Sequence, residues 1–277
     1  MVEKVETELK VYMPDGSLET YYRKVTDQIV AAIQGPSKGG KTRLAATAPK
    51  NPKFFFDPAC RLTSLAGIPN CYGKSYPEAI DPDKSTAWDT IMRDMNMFVY
   101  HKKAGNPIPR TLIFDDVDFL MQRAMRKFLV ENQGVRNSKG FCDVRAIEIG
   151  GQKFLYPFGF NPYTNEINLV GNLIATGIEL GCDVIAIFHE REEEKEESKA
   201  EDRKYTGKVS VHPPRAAAFL PLFNEYWRMD HNGSNYICYP KANEKFNGCT
   251  CMSGLEGQEQ PNITDMIAKH ERTKQNG

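Results

Sequence analysis

The 277-residue sequence has no net charge, since 36 Lys and Arg balance 36 Asp and Glu. A whole-molecule field that would draw in nucleic acid or an anionic surface is therefore lacking, and any polyanion contact has to come from a local patch. No run approaches the roughly eighteen apolar residues of a membrane-spanning helix. Met1 to Glu6 carry no apolar signal region, so the expectation is a soluble, cytoplasmic protein with no membrane partner. The seven cysteines are odd in number and scattered from Cys60 to Cys251, which argues for reduced thiols and against a disulfide framework. Cys249-x-Cys251 has no second Cys or His pair at ligand spacing, which argues against zinc. What remains, 40% hydrophobic and 26% charged residues, is enough to bury a sizeable core as one large α/β domain or one and a half domains.

The most informative stretch is Gly35-Pro36-Ser37-Lys38-Gly39-Gly40-Lys41-Thr42, of the form G-x-x-x-x-G-K-T, placed directly after the apolar run Ile29 to Ile33. Chance gives this pattern in roughly one chain in a hundred of this length. The chemistry needs this spacing. Glycines let backbone N–H groups curl around phosphate oxygens, Lys41 reaches the outer phosphates, and the Thr42 hydroxyl ligates Mg²⁺. Lys41, Thr42, Arg43 and Leu44 open a helix whose N-terminal dipole faces the anion.

A second acid-ended strand supports the first. Thr111 to Phe114 run into Asp115-Asp116, and an acid at the carboxyl end of a strand beside such a loop holds Mg²⁺ while a neighbour orients or deprotonates water. Asp115 is assigned to the metal and Asp116 to water activation, with an N-cap of the helix Val117–Val130 as the competing role for Asp116. Lys53 to Asp57 make another strand, followed by a Pro- and Gly-rich loop over 58–84 with a short helix near Leu62–Ala66. Ser85–Lys103 repeats apolar residues at three and four, and Glu166–Leu180 is a core helix closed by Gly181. The strand Asp183–Phe188 ends at His189-Glu190, where a polar residue would lie near a γ-phosphate, so His189 is a candidate sensor, with a satisfied strand-end histidine as the competing role.

Other stretches carry two meanings. Gln133 to Asn165 interleaves Phe141, Phe154, Tyr156, Phe158, Phe160 and Tyr163 with Arg136, Lys139, Arg145 and Lys153, which suits either a single-strand-binding surface or a long loop anchored by its rings. In Glu190 to Lys204 the cations Arg191, Lys195, Lys199 and Arg203 fall at steps of four, so a helix would line them up; a solvated helix, a loop, or a nucleotide-responsive basic stripe all fit. Turn chemistry predicts hairpins over Glu6–Val25, centred on Met13–Ser17 and covering an edge of the core, and over Glu225–Tyr239. A short helix Ala216–Leu220 precedes the second hairpin, and a capped helix from Pro261 ends in a fraying stretch, His270–Gly277.

The order of these pieces resembles a family of bacteriophage RecA-like P-loop nucleotide-binding proteins, some of which are single-strand annealing recombinases. Gly35 to Pro49, Leu112 to Asp116, Ile187 to Glu190 and Leu222 to Met229 carry the likeness. It implies an N-terminal hairpin (1–27), a RecA-like ATPase domain with a mostly parallel sheet and flanking helices (28–240), and a C-terminal extension (241–277). It further implies ATP and Mg²⁺ as cofactors, with Gly35, Pro36, Ser37, Lys38, Gly39, Gly40, Lys41, Thr42 and Arg43 on the nucleotide and Thr42 with Asp115 on the metal. Lys41, Asp116, His189 and Glu190 are the catalytic set, with His189 at the sensor position. Single-stranded DNA and further copies of the chain, in a ring or filament, are the implied partners. A cation from the neighbouring subunit would be Lys241 or Lys245. Where relatives carry a glutamate two residues after the second strand's acid, this chain has Asp57-Pro58-Ala59, so hydrolysis rests on Asp116 or Glu190 or is slow. A small-molecule kinase and a nucleotide-gated assembly protein remain as alternatives.

Overall fold

A computed structural model describes residues 7–12, 18–23, 28–136, 138–149, 151–194, 205–233 and 235–276. Strands β1 (Thr7–Tyr12) and β2 (Leu18–Arg23) pair antiparallel as a separate two-stranded sheet. The turn expected at Met13–Ser17 lies outside the described residues. From there the chain alternates: β3 (Val30–Gly35), α1 (Lys41–Ala46), β4 (Lys53–Asp57), β5 (Cys71–Ser75), α2 (Ala87–Lys103), β6 (Thr111–Phe114), α3 (Val117–Asn132). It continues with β7 (Val144–Ile149), β8 (Gln152–Pro157), α4 (Asn161–Glu179), β9 (Asp183–Glu194), β10 (Tyr205–His212), β11 (Glu225–Asn232), β12 (Asn235–Tyr239) and α5 (Ile263–Asn276).

Eight strands form one sheet in the order β12-β11-β3-β9-β6-β4-β5, with β10 paired to the far half of β9. The contacts β11–β3, β3–β9, β9–β6, β6–β4 and β4–β5 are parallel; β11–β12 and β9–β10 are antiparallel. Apolar runs such as Val30–Ile33 and Leu112–Phe114 favour this arrangement, because a parallel sheet is covered on both faces and every residue along a central strand must tolerate burial. On one face Ala31, Ile33, Phe55, Ile113, Ile185 and Trp227 pack under α1 and α5. On the other, Ala32, Phe56, Phe114, Ala186 and Phe188 face α2, α3 and α4. The expected α/β architecture, a mostly parallel sheet with flanking helices, is the one adopted. Among the described residues no helix is long and apolar enough to cross a membrane.

Four segments differ from expectation. The loop over 58–84 contains the edge strand β5, whose sequence Cys71-Tyr72-Gly73-Lys74-Ser75 lacks an apolar pattern because an edge needs little burial. Residues 133–165 hold the β7–β8 hairpin, and α4 begins at Asn161, where Pro162 takes an early helical position that needs no N–H. The charged run does not open as a helix: β9 continues to Glu194 and pairs with β10, so cross-strand partners replace the four-residue spacing. Lys195, Lys199 and Arg203 lie outside the described residues. At the other end α5 stays helical through Asn276 instead of fraying from His270.

Residues 241–276 are bound to the body rather than trailing from it. The buried Glu225 carboxylate accepts hydrogen bonds from Trp227 Nε1 (2.9 Å), Thr250 Oγ1 (2.5 Å) and the Cys251 amide (2.9 Å). Thr47, just after α1, accepts from the Ile263 amide at 2.8 Å, and Ile263 and Met266 enter the core beneath α1. Glu225→Ala would leave the buried Trp227 N–H without an acceptor and release Thr250 and Cys251, and such losses are costly. Urea unfolding is expected to show about 2–4 kcal/mol of destabilisation, with faster proteolysis within 241–262.

Candidate functional site

Parallel strands that share a direction bring their carboxyl ends to one edge of the sheet, and ligands of α/β proteins collect there. Here β3, β9 and β6 are consecutive neighbours, with Gly35 opposite His189 and Phe114 opposite Ala186. The loop after β3 and the acids after β6 therefore lie on either side of the end of β9. They line one cleft of about 420 Å³ together with Ser37, Lys38, Gly39, Gly40, Arg43, Asp57, Ala59, Arg61, Ser64, Ile187, His189 and Tyr236.

The loop's glycines answer to specific demands. A Cβ on Gly35 would fall 2.4 Å from the Met229 carbonyl oxygen of β11. Gly40, at φ 83°, occupies the left-handed region that glycine adopts freely, and a Cβ there would also meet the Tyr236 ring at 2.9 Å. Lys38 shares this backbone region at φ 63°. The Gly39 amide donates to the Pro36 carbonyl at 3.1 Å, closing the turn, and α1 then starts at Lys41 with no side-chain cap on its first amides.

Lys41 is buried, and its Nζ donates to the carbonyls of Gly35 (2.8 Å) and Pro36 (2.7 Å). Burial pulls its pKa down to about 8 against the opposing pull of Asp115, Asp116 and Glu190. Thr42 Oγ1 donates to Asp115 Oδ2 at 2.6 Å. Burial pushes the Asp115 carboxyl up to about 6, although the Thr42 hydrogen bond works in the other direction.

Asp116 combines two roles. Its Oδ1 accepts from the Phe119 amide at 2.9 Å, which caps α3, and its Oδ2 lies 2.8 Å from His189 Nε2. With the proton on Nε2 the imidazole donates to Asp116 and keeps Nδ1 as an acceptor. Glu190 is engaged elsewhere: both of its oxygens bind the buried Arg228, at 2.9 and 3.0 Å, and Arg228 also holds Asp230 at 2.6 Å. Glu190 does not line the cleft, so it is removed from the set facing a ligand. Gly35 and Pro36 are not among the cleft-lining residues, their carbonyls being taken by Lys41, and the exposed Lys241 and Lys245 do not line it either.

Asp57, Arg61 and Tyr236 are among the cleft residues that have no role in the sequence reading. Asp57 is buried and accepts from the Arg61 amide (2.6 Å) and Ser75 Oγ (2.9 Å). The Arg61 guanidinium lies 4.8 Å over the Phe119 ring at the cleft's lip. Tyr236 arrives from β12. Asp57 has a legible sign, being an acid at a strand's carboxyl end, whereas nothing local marks Arg61, and Tyr236 lies on the expected hairpin with no local sign that it reaches the cleft. Among the described residues no three His, Cys, Asp or Glu side chains are grouped to hold a metal.

No protein-family model matches the chain, and no curated protein matches it.

A raised carboxyl pKa is a stability statement. Asp115 titrates near 6 in the folded chain against about 3.8 unfolded, so its contribution is present below about 4 and is lost as pH rises through 6. Asp115→Asn, which retains an acceptor for Thr42, is expected to stabilise the protein by about 1–3 kcal/mol at pH 8. The gain should be clearly smaller at pH 4.5, which is still above the unfolded carboxyl's value of about 3.8, as read by urea unfolding at the two pH values.

Proposed function

We propose that the chain is a RecA-like P-loop ATPase that binds ATP with Mg²⁺, engages single-stranded DNA and promotes annealing under ATP control, acting as a homo-oligomer. The observation that carries this reading is the meeting of three strand ends in one cleft: Lys41 and Thr42 after β3, Asp115 and Asp116 after β6, His189 on β9. The amides that open α1 carry no side-chain cap and suit phosphate oxygens. Magnesium keeps several waters and takes one or two protein groups besides phosphate, so a hydroxyl and a carboxylate 2.6 Å apart fit it without a larger cluster. When bound, Mg·ATP supplies a polarised phosphoanhydride. Lys41 then offsets phosphate charge, and the Asp116–His189 pair presents a proton acceptor at Nδ1 whose cationic form the carboxylate stabilises.

A surface for DNA is supported by the β7–β8 region. Arg145 stacks on Phe158 at 3.6 Å, while Phe160 (88%), Phe141 (64%) and Phe154 (46%) stay exposed. Rings open to solvent beside cations suit unpaired bases and their phosphates.

One observation favours a slower variant of this reading, a nucleotide-gated assembly protein. Both Asp116 oxygens already accept hydrogen bonds, Glu190 is held by Arg228, and Ala59 is apolar, so among the described residues no unengaged carboxylate faces the cleft. Retained nucleotide without phosphate release would mark this variant.

Lys41→Ala is expected to weaken ATP binding by about tenfold to a hundredfold, the usual weight of charge-assisted contacts, and to abolish any phosphate release. Filter binding of a labelled single strand should be seen at about 50 mM salt and fall steeply by about 200 mM. Absence of binding at low salt with and without ATP would remove DNA from the proposal.

A further inference from the structure

A second cavity, of about 730 Å³, lies beside the cleft, and Tyr236 lines both. One wall is β12, with Asn235 and Ile237. The other is the segment Glu256–Pro261 of the C-terminal extension. That segment is placed by backbone pairing: the Cys238 amide donates to the Glu259 carbonyl (3.0 Å) and the Glu259 amide to the Cys238 carbonyl (2.8 Å). Tyr236 is half-exposed, and its ring lies against the loop backbone at Gly40, with the His231 ring edge-on at 6.2 Å. An aromatic surface thus begins where the phosphate loop ends.

The cavity's chemistry differs from that of the cleft. Its one cation, among the described residues lining it, is Lys269, which is tied to Glu259 at 2.7 Å and Glu256 at 3.6 Å. No free positive charge is left there for a further phosphate. The remaining polar groups are the side-chain amides of Asn235, Gln258 and Gln260, each offering donors and an acceptor. Neutral paired donors and acceptors next to a ring are what an uncharged heterocycle with hydrogen-bonding edges requires.

We propose, on the reading of Gly35–Thr42 as a triphosphate cradle, that this cavity is the nucleoside subsite, with the base stacked on Tyr236 and its edge read by Gln258 and Gln260. The C-terminal extension thereby completes the nucleotide site. Base stacking on one aromatic side chain typically changes affinity by about fivefold to more than a hundredfold.

Calorimetric titration of the full chain with Mg·ATP, Mg·GTP and magnesium tripolyphosphate tests this. Wild type should bind the better nucleoside triphosphate at least about tenfold more tightly than tripolyphosphate, and Tyr236→Ala should erase that margin by weakening the nucleoside triphosphate far more than tripolyphosphate. Tyr236→Phe should keep the margin, and Gln258→Ala should alter the ratio of ATP to GTP. Equal loss for nucleotide and tripolyphosphate in Tyr236→Ala would overturn the subsite, assigning Tyr236 to support of the loop alone. A wild type that binds tripolyphosphate as tightly as both nucleotides would overturn the subsite and leave the phosphate cradle standing. Failure of all three ligands to bind would overturn both.

Discussion

Parallel pairing of β3, β9 and β6 is the constraint from which the rest of the site follows. Because the three strands share a direction, their carboxyl ends deliver Lys41, His189 and Asp115 to one edge without any long-range loop having to find its place. Register matters as much as direction. A one-residue slip of β9 would carry Ile185 and Ile187 from the face under α1 to the opposite face, so burial of both faces holds His189 opposite Gly35. The precision of the site is therefore inherited from the hydrophobic core, and its side chains need little organisation of their own.

What the core positions, it also makes costly. Lys41 is buried and Asp115 half-buried, and the loss of water moves each toward its neutral form. Their mutual attraction and the contacts from Gly35, Pro36 and Thr42 offset only part of that cost. Such an arrangement weakens the fold in exchange for groups that a multiply charged ligand would satisfy, which is the ordinary pattern of a binding site. By contrast, the Glu190–Arg228 ion pair is matched within the chain, and the Glu225 carboxylate, although burial raises its pKa, spends its hydrogen bonds on holding the C-terminal segment.

The sequence is most legible where one local rule dominates. Gly35–Thr42 is a spacing that few backbones use, and the strands beside it are uninterrupted apolar runs. Sequence reading fails where long-range pairing decides. β5 carries almost no apolar signal, since its neighbour β4 supplies the pairing. The Glu190–Glu194 charges look helical because periodicity is blind to β10, which arrives later and converts them to a ribbon. Glu190 is drawn toward the site by its place in the chain, and only the arrival of Arg228 from β11 shows that its carboxylate is committed. Tyr236 is invisible for the same reason: what makes it a cleft residue is Gly40, far earlier in the chain.

Amide hydrogen exchange with and without Mg·ATP tests the convergence of these strand ends most directly. The account predicts added protection in peptides covering 35–42, 113–116 and 187–190 together, and none of it in Lys41→Ala. Protection confined to other segments, or unchanged exchange across residues 35–42 at saturating nucleotide, would contradict it.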